Sequence, residues 1–530
     1  MANLQGDNAA PESAKVLGKD EPKQPDVRSH LLDHINDLRT GGQYTRVSDA
    51  APGAAGAPME AVAKAAAAPV GPPDHSCAEY GDYTAIIGTA ERRIYDPKDL
   101  GDMSKLESKF DCRTDKDPVK VANSNLLDAT GDRFNYAMTR KQWRDMQTNT
   151  SGRLGGIGAE VTGFQIDKAG HAFSPYPVMK HSDNPQEPPV INPPIDPKTL
   201  HTGFNGAIKG TPAQAAGIRK GDIITDVDGT DTTHLAVDKT VDLIRGNPGS
   251  HVHITVERDG QKMPPMDITR AEIKLPTVED AKDMNGFTYI KMKSFGEHTA
   301  EELKTQTQKF PNTKGFIVDL RDNPGGLVDT VEDSAKLFVK NGGIVNMVER
   351  VPSNPSNIVT FTDKLWMDDK FEHEDVTFSD GRKGSSTTRT RSMPYLGGDK
   401  PVVVITNGNS ASAAEIFTGA LGDNGARVVG SDGDPKEPEN HGTYGKGIGQ
   451  TLIPNAFTGG ATRITTLHYT SPNGTWPGDA AKHRYGIRPD IAVNNPDGVV
   501  PGSANDAQLK AALAEIEAET RGVKAKKAIQ

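Results

Sequence analysis

After residue 285, short apolar runs alternate with amphipathic stretches: "GFTYIKMKSF", "TAEELKTQTQKF", "GFIVDLRDN", "TVEDSAKLFV", "PVVVIT", "SAAEIFTGAL", "ARVVGS" and "ATRITTLHYT". A strand that is apolar throughout needs cover on both faces, and parallel neighbours need a helical crossover. The alternation therefore predicts an α/β layer around a mostly parallel sheet. Residues 350–398 interrupt it with a polar, charged stretch centred on "FEHEDVTFSDGRKGSSTTRTR", which reads as a solvated face. The "HED" within it has no second ligand cluster at metal spacing.

The 530 residues leave room for about three domains of ~150 residues. Residues 1–75 are polar and then rich in Ala, Pro and Gly, a composition that cannot offset ordering entropy by burial, and they read as a disordered leader. Residues 76–151 carry helical apolar spacing in "YTAIIGTAERRIY" and "VKVANSNLLDATGDRFNYAM". Between 152 and 270 short strands and glycine turns surround one helix, "VDKTVDLIRGNPG", as in a compact β-rich module. Inside that module "SPYPVMKHSDNPQEPPVINPPIDP" places eight prolines in 24 residues and reads as an extended surface insertion. The α/β core then spans 271–500, and 501–530 form an amphipathic helix, with Leu509, Leu513 and Ile516 on one side, and a basic tail.

A net charge of −10, with no basic block beyond "KAKK", argues against nucleic acid as a partner. No window approaches 18 apolar residues, and the first residues lack the pattern of a signal peptide, so the compartment stays open. The two cysteines, Cys77 and Cys112, read as separate thiols, with a single bridge as the other reading.

Chemistry concentrates in three segments. "GNSASAAEIF" puts Ser410 and Ser412 at the start of a helix; a serine hydroxyl needs a base, yet Ser412-Ala413-Ala414-Glu415 also matches a capping box. Because the fifth residue of "GNSAS" is not glycine, the strained elbow of the α/β hydrolases is not expected. His441 lies in a polar loop. Lys446 sits in "TYGKGIGQTLI", framed by Gly445 and Gly447, where desolvation would favour the neutral amine that can act as a base. Gln450 could orient that amine only across a turn or bulge at Gly447 or Gly449, since four strand positions span about 13 Å. For an oxyanion, the first-turn N–H of Ala413 and the backbone of "DLRDNPGG", residues 319–326, are the candidate donors.

Taken together, these segments resemble the carboxyl-terminal processing peptidases, or tail-specific proteases. "NGNSASAAEI" follows the family pattern N-x-x-S-A-S-A-S-E-I with Ala414 in place of the last serine; "TYGKGIGQ" follows T-F-G-K-G-x-x-Q, and "DLRDNPGG" follows D-L-R-x-N-P-G-G. "DRFNYAMT" is similar to the family's D-P-Y-S-x-Y-M, and the likeness covers roughly residues 80–515. The resemblance implies a crotonase-like α/β protease core with Ser412 as nucleophile, Lys446 as base, Gln450 as its support and Asp423 as an acidic residue after the nucleophile helix. It implies an oxyanion hole from Ala413, Gly325 and Gly326. It further implies that residues 152–270 form a PDZ domain, in which backbone near Gly155, Gly156, Ile157 and Gly158 receives a terminal carboxylate while Val241 and Ile244 line the side-chain pocket.

The expected function is a serine endopeptidase acting on unfolded or C-terminally tailed polypeptides, a chemistry that asks for no cofactor or metal. Two alternatives remain: a catalytically inactive tail-binding scaffold, and a Ser-His hydrolase using His441.

Overall fold

Strands Phe316–Asp319 and Val402–Ile405 are buried along their whole length, as their β-branched, doubly apolar sequences require. In the computed structural model, which describes residues 45–47, 72–166, 172–173, 201–351, 359–431, 442–456, 458–478, 486–496 and 499–529, they form the centre of a six-stranded sheet. Its order is Lys282–Met284, Phe287–Lys291, Phe316–Asp319, Val402–Ile405, Arg427–Gly430 and Ile491–Ala492; all neighbours are parallel except the first pair.

Alternate side chains leave this sheet on opposite faces. Ile290, Val318 and Val404 pack with Leu303, Val331, Ala335 and Phe417 from the helices Thr299–Thr307, Val328–Lys336 and Ala413–Asp423. Ile317, Val403, Ile405 and Val429 pack on Leu509, Ala512 and Ile516 of the helix Ala507–Ile529. Burying each such aliphatic side chain contributes about 1.5–3 kcal/mol. That helix is also pinned at its start by a buried cluster: Arg321 bonds Asp319 and donates to Asp506 Oδ1 at 2.8 Å, all three being at most 1% exposed.

A second sheet is antiparallel. It runs Thr45–Val47, Ile448–Pro454, Ala461–Thr470, Gly342–Arg350, Thr360–Met367, Phe371–Phe378 and Ser385–Thr390, with Tyr136–Met138 attached to Ala461–Thr470. The segment read as a solvated interruption thus contributes three of these strands, Thr360–Met367, Phe371–Phe378 and Ser385–Thr390. Their pattern misleads because the inward-facing positions include charges: Asp363, Glu372 and Glu374 are buried beside Phe361, Leu365 and Val376. Glu372 is neutralised by Lys336 at 2.7 Å and by Arg389. Thr45–Val47 lie inside the stretch read as disordered, yet they pair with Gln450–Leu452. The Pro-rich insertion falls outside the described residues.

The β-rich module enters and leaves the core by two paired strands, Arg153–Gly156 and Ala271–Lys274. Its own sheet pairs Ala159–Ile166, His201–Ala207, Ile223–Val227, His251–Arg258 and Met266–Thr269 around a core that includes Phe204, Ile224 and Ile254. Before it, helices Ala78–Arg93 and Pro118–Thr130 pack Tyr83, Ile86, Ile87 and Leu126 against Phe110 and against Ile464 of the antiparallel sheet. Cys77 and Cys112 form a disulfide there, which overturns the reading of two separate thiols; the fold brings their Cα atoms to 5.8 Å across a 35-residue separation that spacing alone does not reveal.

Candidate active site

The loop after Val402–Ile405 turns sharply into helix Ala413–Asp423, and Ser412 sits at that turn with φ +62° and ψ −117°. Such a backbone costs a non-glycine residue about 1–3 kcal/mol and holds only where the surroundings enforce it. A strained elbow is therefore present although the glycine pattern that announces it elsewhere is missing. The enforcement is visible: Gly325 packs so closely under the turn that a Cβ there would stand 2.8 Å from the Ala411 carbonyl, 2.9 Å from Ala413 N and 2.9 Å from Ser412 Cβ. Ser410 is occupied structurally, since its hydroxyl donates to the Leu320 carbonyl (2.8 Å) and accepts from Asn407 N–H (2.9 Å).

Lys446 and Gln450 come to the same place. The pairing of Ile448–Pro454 with Ala461–Thr470 shifts register between Gly449 and Gln450, and Gly447 takes φ +61°, so the four-residue span is folded back. Lys446 Nζ then lies 3.3 Å from Ser412 Oγ and 2.8 Å from Gln450 Oε1. Ser412 and Gln450 are 0% exposed and Lys446 is 6% exposed. The Phe134 ring, from the "DRFNYAMT" stretch, covers the amine with its centroid 4.7 Å from Nζ.

Glu415 joins the two halves of this site, a role that the capping-box pattern only hinted at. Its Oε2 accepts from Ser412 N (2.8 Å), Lys446 N (3.0 Å) and Tyr469 OH (3.1 Å); its Oε1 accepts from Thr443 Oγ1 (2.6 Å) and Gly445 N (2.7 Å). Burial pushes its carboxyl up from the usual range, while the bonds from Thr443, Ser412, Gly445 and Lys446 pull the other way. One carboxylate thereby fixes the start of the serine helix to the lysine loop. The capping-box reading and the nucleophile reading are compatible, because it is Glu415 that serves the helix end while the Ser412 hydroxyl faces Lys446.

The remaining candidates divide. The Ala413 N–H is the first of the helix, beside Ser412. The Gly325 N–H is already given to Asn323 Oδ1 (2.9 Å), so Gly325 enters by its close packing rather than as a donor; Gly326 forms a parallel bridge with Phe295. Asp423 closes the same helix at the opposite end from Ser412, where it accepts from Asn473 N (2.8 Å). Eleven residues of helix span roughly 16 Å, which removes Asp423 from the reacting atoms.

In the β-rich module, Gly155 and Gly156 belong to the connecting strand, and Gly155 allows the close approach of the Gly246 carbonyl. Ile157 and Ile244 are buried in the module's core, and Val241 stays half-buried on helix Val237–Ile244. Gly158 adopts φ +76° and its carbonyl accepts from Ile208 N (2.9 Å). His441 lies outside the described residues. Among the described residues no group of three His, Cys, Asp or Glu side chains could hold a metal, and no helix is long and apolar enough to cross a membrane.

Residues 286–493 match the family model described as peptidase family S41, and residues 203–258 match a PDZ domain. A carboxy-terminal-processing protease of Bartonella bacilliformis is 29% identical over 367 residues, covering 68% of this chain and 66% of that one. The carboxy-terminal processing protease CtpB of Bacillus subtilis is 31% identical over 312 residues, covering 58% and 54%. The matched part thus spans less than two thirds of these relatives. Among solved structures, the photosystem II D1 C-terminal processing protease aligns over 82% of this chain and 96% of its own at 19% identity and a TM-score of 0.40.

Proposed function

We propose that this chain, whose residues 286–493 match peptidase family S41 and residues 203–258 a PDZ domain, is a serine endopeptidase working by a Ser412–Lys446 dyad on unfolded polypeptides with exposed C-terminal tails. The crotonase-like description of its core is part of the same proposal. The observation that carries it is the buried amine 3.3 Å from a buried hydroxyl on a strained helix-initiating turn.

In the proposed cycle, Lys446 enters as the free amine, a form that its burial favours. It takes the Ser412 proton as Oγ bonds to the scissile carbonyl carbon. The resulting ammonium is met by the Gln450 carbonyl oxygen and the Phe134 face. The Ala413 N–H receives the oxyanion. Collapse breaks the C–N bond, and Lys446 returns the proton to the leaving amine. Water, deprotonated by Lys446, then attacks the acyl ester, and Lys446 returns that proton to Ser412 Oγ as the ester C–O bond breaks, freeing the acid product and the serine hydroxyl. The PDZ domain holds the substrate's end as an added strand, with Val241 facing its last side chain.

Incubation of the protein and its Ser412→Ala and Lys446→Ala variants with a disordered peptide, read by mass spectrometry, tests the dyad: cleavage is expected to fall by about 10³-fold or more in each variant. Undiminished turnover in either removes the assignment. The same peptide with an amidated C-terminus tests the tail reading, and equal cleavage of both forms would remove that part alone.

A further inference from the structure

The amide of Gln450 could face Lys446 with its oxygen or with its nitrogen, and only the first is useful to a base. Gln450 Oε1 accepts from both Lys446 Nζ (2.8 Å) and Arg463 NH2 (2.8 Å), while its Nε2 donates to Thr465 Oγ1 (3.2 Å). What fixes this choice lies one step further out. Thr465 Oγ1 is 2.6 Å from Asp132 Oδ2. A carboxylate can only accept, and a hydroxyl has one proton, so Thr465 gives its proton to Asp132 and has lone pairs left for the Gln450 N–H. Reversing the amide would then bring acceptor against acceptor at Thr465 and would aim its NH2 at the Arg463 guanidinium and at the ammonium that Lys446 becomes.

Asp132 is itself held in place. Its Oδ1 accepts from Phe134 N (2.8 Å) and its Oδ2 from Asn135 Nδ2 (3.2 Å), and Asn135 Oδ1 accepts from Thr465 N (2.7 Å). The same short segment thus supplies the carboxylate at one end of the chain of bonds and, through Phe134, the ring over the amine at the other.

We infer that Asp132 and Thr465 are positioning residues of the active site, forming an Asp132–Thr465–Gln450 relay that orients the Gln450 carbonyl oxygen toward Lys446. The inference rests on the dyad reading above. Neither residue touches substrate; both act through the direction of one amide.

Four variants test it in the full-length protein: Thr465→Val, Thr465→Ser, Asp132→Asn and the double Asp132→Asn/Thr465→Val, each assayed for kcat, KM and thermal melting on a disordered peptide. Thr465→Val and Asp132→Asn are expected to lower kcat by roughly 10- to 100-fold with KM within about twofold, Thr465→Ser to keep the wild-type rate, and the double variant to be no slower than the worse single one. Equal loss in Thr465→Ser and Thr465→Val, or losses that multiply in the double variant, would overturn the relay. Selective ¹⁵N-glutamine labelling reads the same relay without turnover. The Gln450 side-chain amide signal, identified by its loss in Gln450→Ala, is expected to move in Thr465→Val and Asp132→Asn but not in Thr465→Ser. An unmoved signal overturns the relay whether or not the protein cleaves anything, whereas activity surviving in Lys446→Ala sinks the dyad alone.

Discussion

The Phe134 ring stands over the Lys446 amine at 4.7 Å, so the group proposed to gain a proton would do so against an aromatic face delivered by the helical region rather than by the segment that carries the lysine. Removing the ring should cost most where positive charge develops. Phe134→Ala and Phe134→Leu are expected to lower kcat by roughly 3- to 30-fold, with Leu retaining the dryness but losing the cation–π attraction and so falling between Ala and wild type. Steady-state kinetics on a peptide substrate decide this. Wild-type kcat in both variants would show the ring to be mere packing.

Glu415→Gln replaces a carboxylate that accepts five hydrogen bonds with an amide that can accept on one side only. Whichever way it lies, an NH2 group meets at least two donors: Thr443 Oγ1 and Gly445 N, or Ser412 N, Lys446 N and Tyr469 OH. A loss of about 2–4 kcal/mol in urea unfolding is expected, together with slower turnover, since both partners of the dyad are moored to this group. Full stability in the variant would contradict the geometry.

Acid should loosen the C-terminal helix. Burial pushes the Asp319 and Asp506 carboxyls up, but the Arg321 guanidinium, with Lys291 for Asp319 and the Gly502 and Leu509 N–H groups for Asp506, outweighs it, and both titrate below the ordinary aspartate range. A carboxyl depressed in the folded state contributes stability that is fully present above its unfolded value near pH 4 and is lost as pH falls toward the folded value. The melting temperature should therefore drop on acidification from about pH 5 to pH 2, and less steeply in Asp506→Asn than in wild type. Parallel curves for the two proteins would refute the assignment.

Reduction of the Cys77–Cys112 bridge, which closes a separation of 35 residues, should destabilise the helical region by about 3–4 kcal/mol on the chain-entropy account. Because that region presents Asp132 and Phe134 to the amine, dithiothreitol should lower kcat as well as the melting temperature. A Cys77→Ser/Cys112→Ser variant should reproduce both effects. An activity insensitive to reduction would mean that the segment 132–136 is held without the bridge.

The parts of this architecture that were legible in the sequence are those written in short contiguous runs. Doubly apolar strands such as "PVVVIT" announced the parallel sheet, and the glycines around Lys446 announced a bulge that the Gly449/Gln450 register shift provides. The parts that were not legible depend on partners far apart in the chain. Glu415 looked like a local helix cap because three of its five donors lie about thirty residues away in the Thr443–Lys446 loop. Asp132 and Thr465 are separated by 333 positions and carry no local signature. The strands between 359 and 390 were hidden because their buried faces include acids, Asp363, Glu374 and the ion-paired Glu372, so that alternation of apolar and polar residues, the usual sign of a half-buried strand, was erased.

The reactive centre is stitched from segments near 132, 323, 412, 446 and 465, no two of which are neighbours in the chain. While the polypeptide is being made, the serine emerges before the lysine loop, and the threonine that steadies the amide emerges later still. The proposed dyad is consequently incomplete through most of translation. On that reading a growing chain would have no assembled active site with which to cut itself or its ribosome-bound siblings until its last third has been threaded into place.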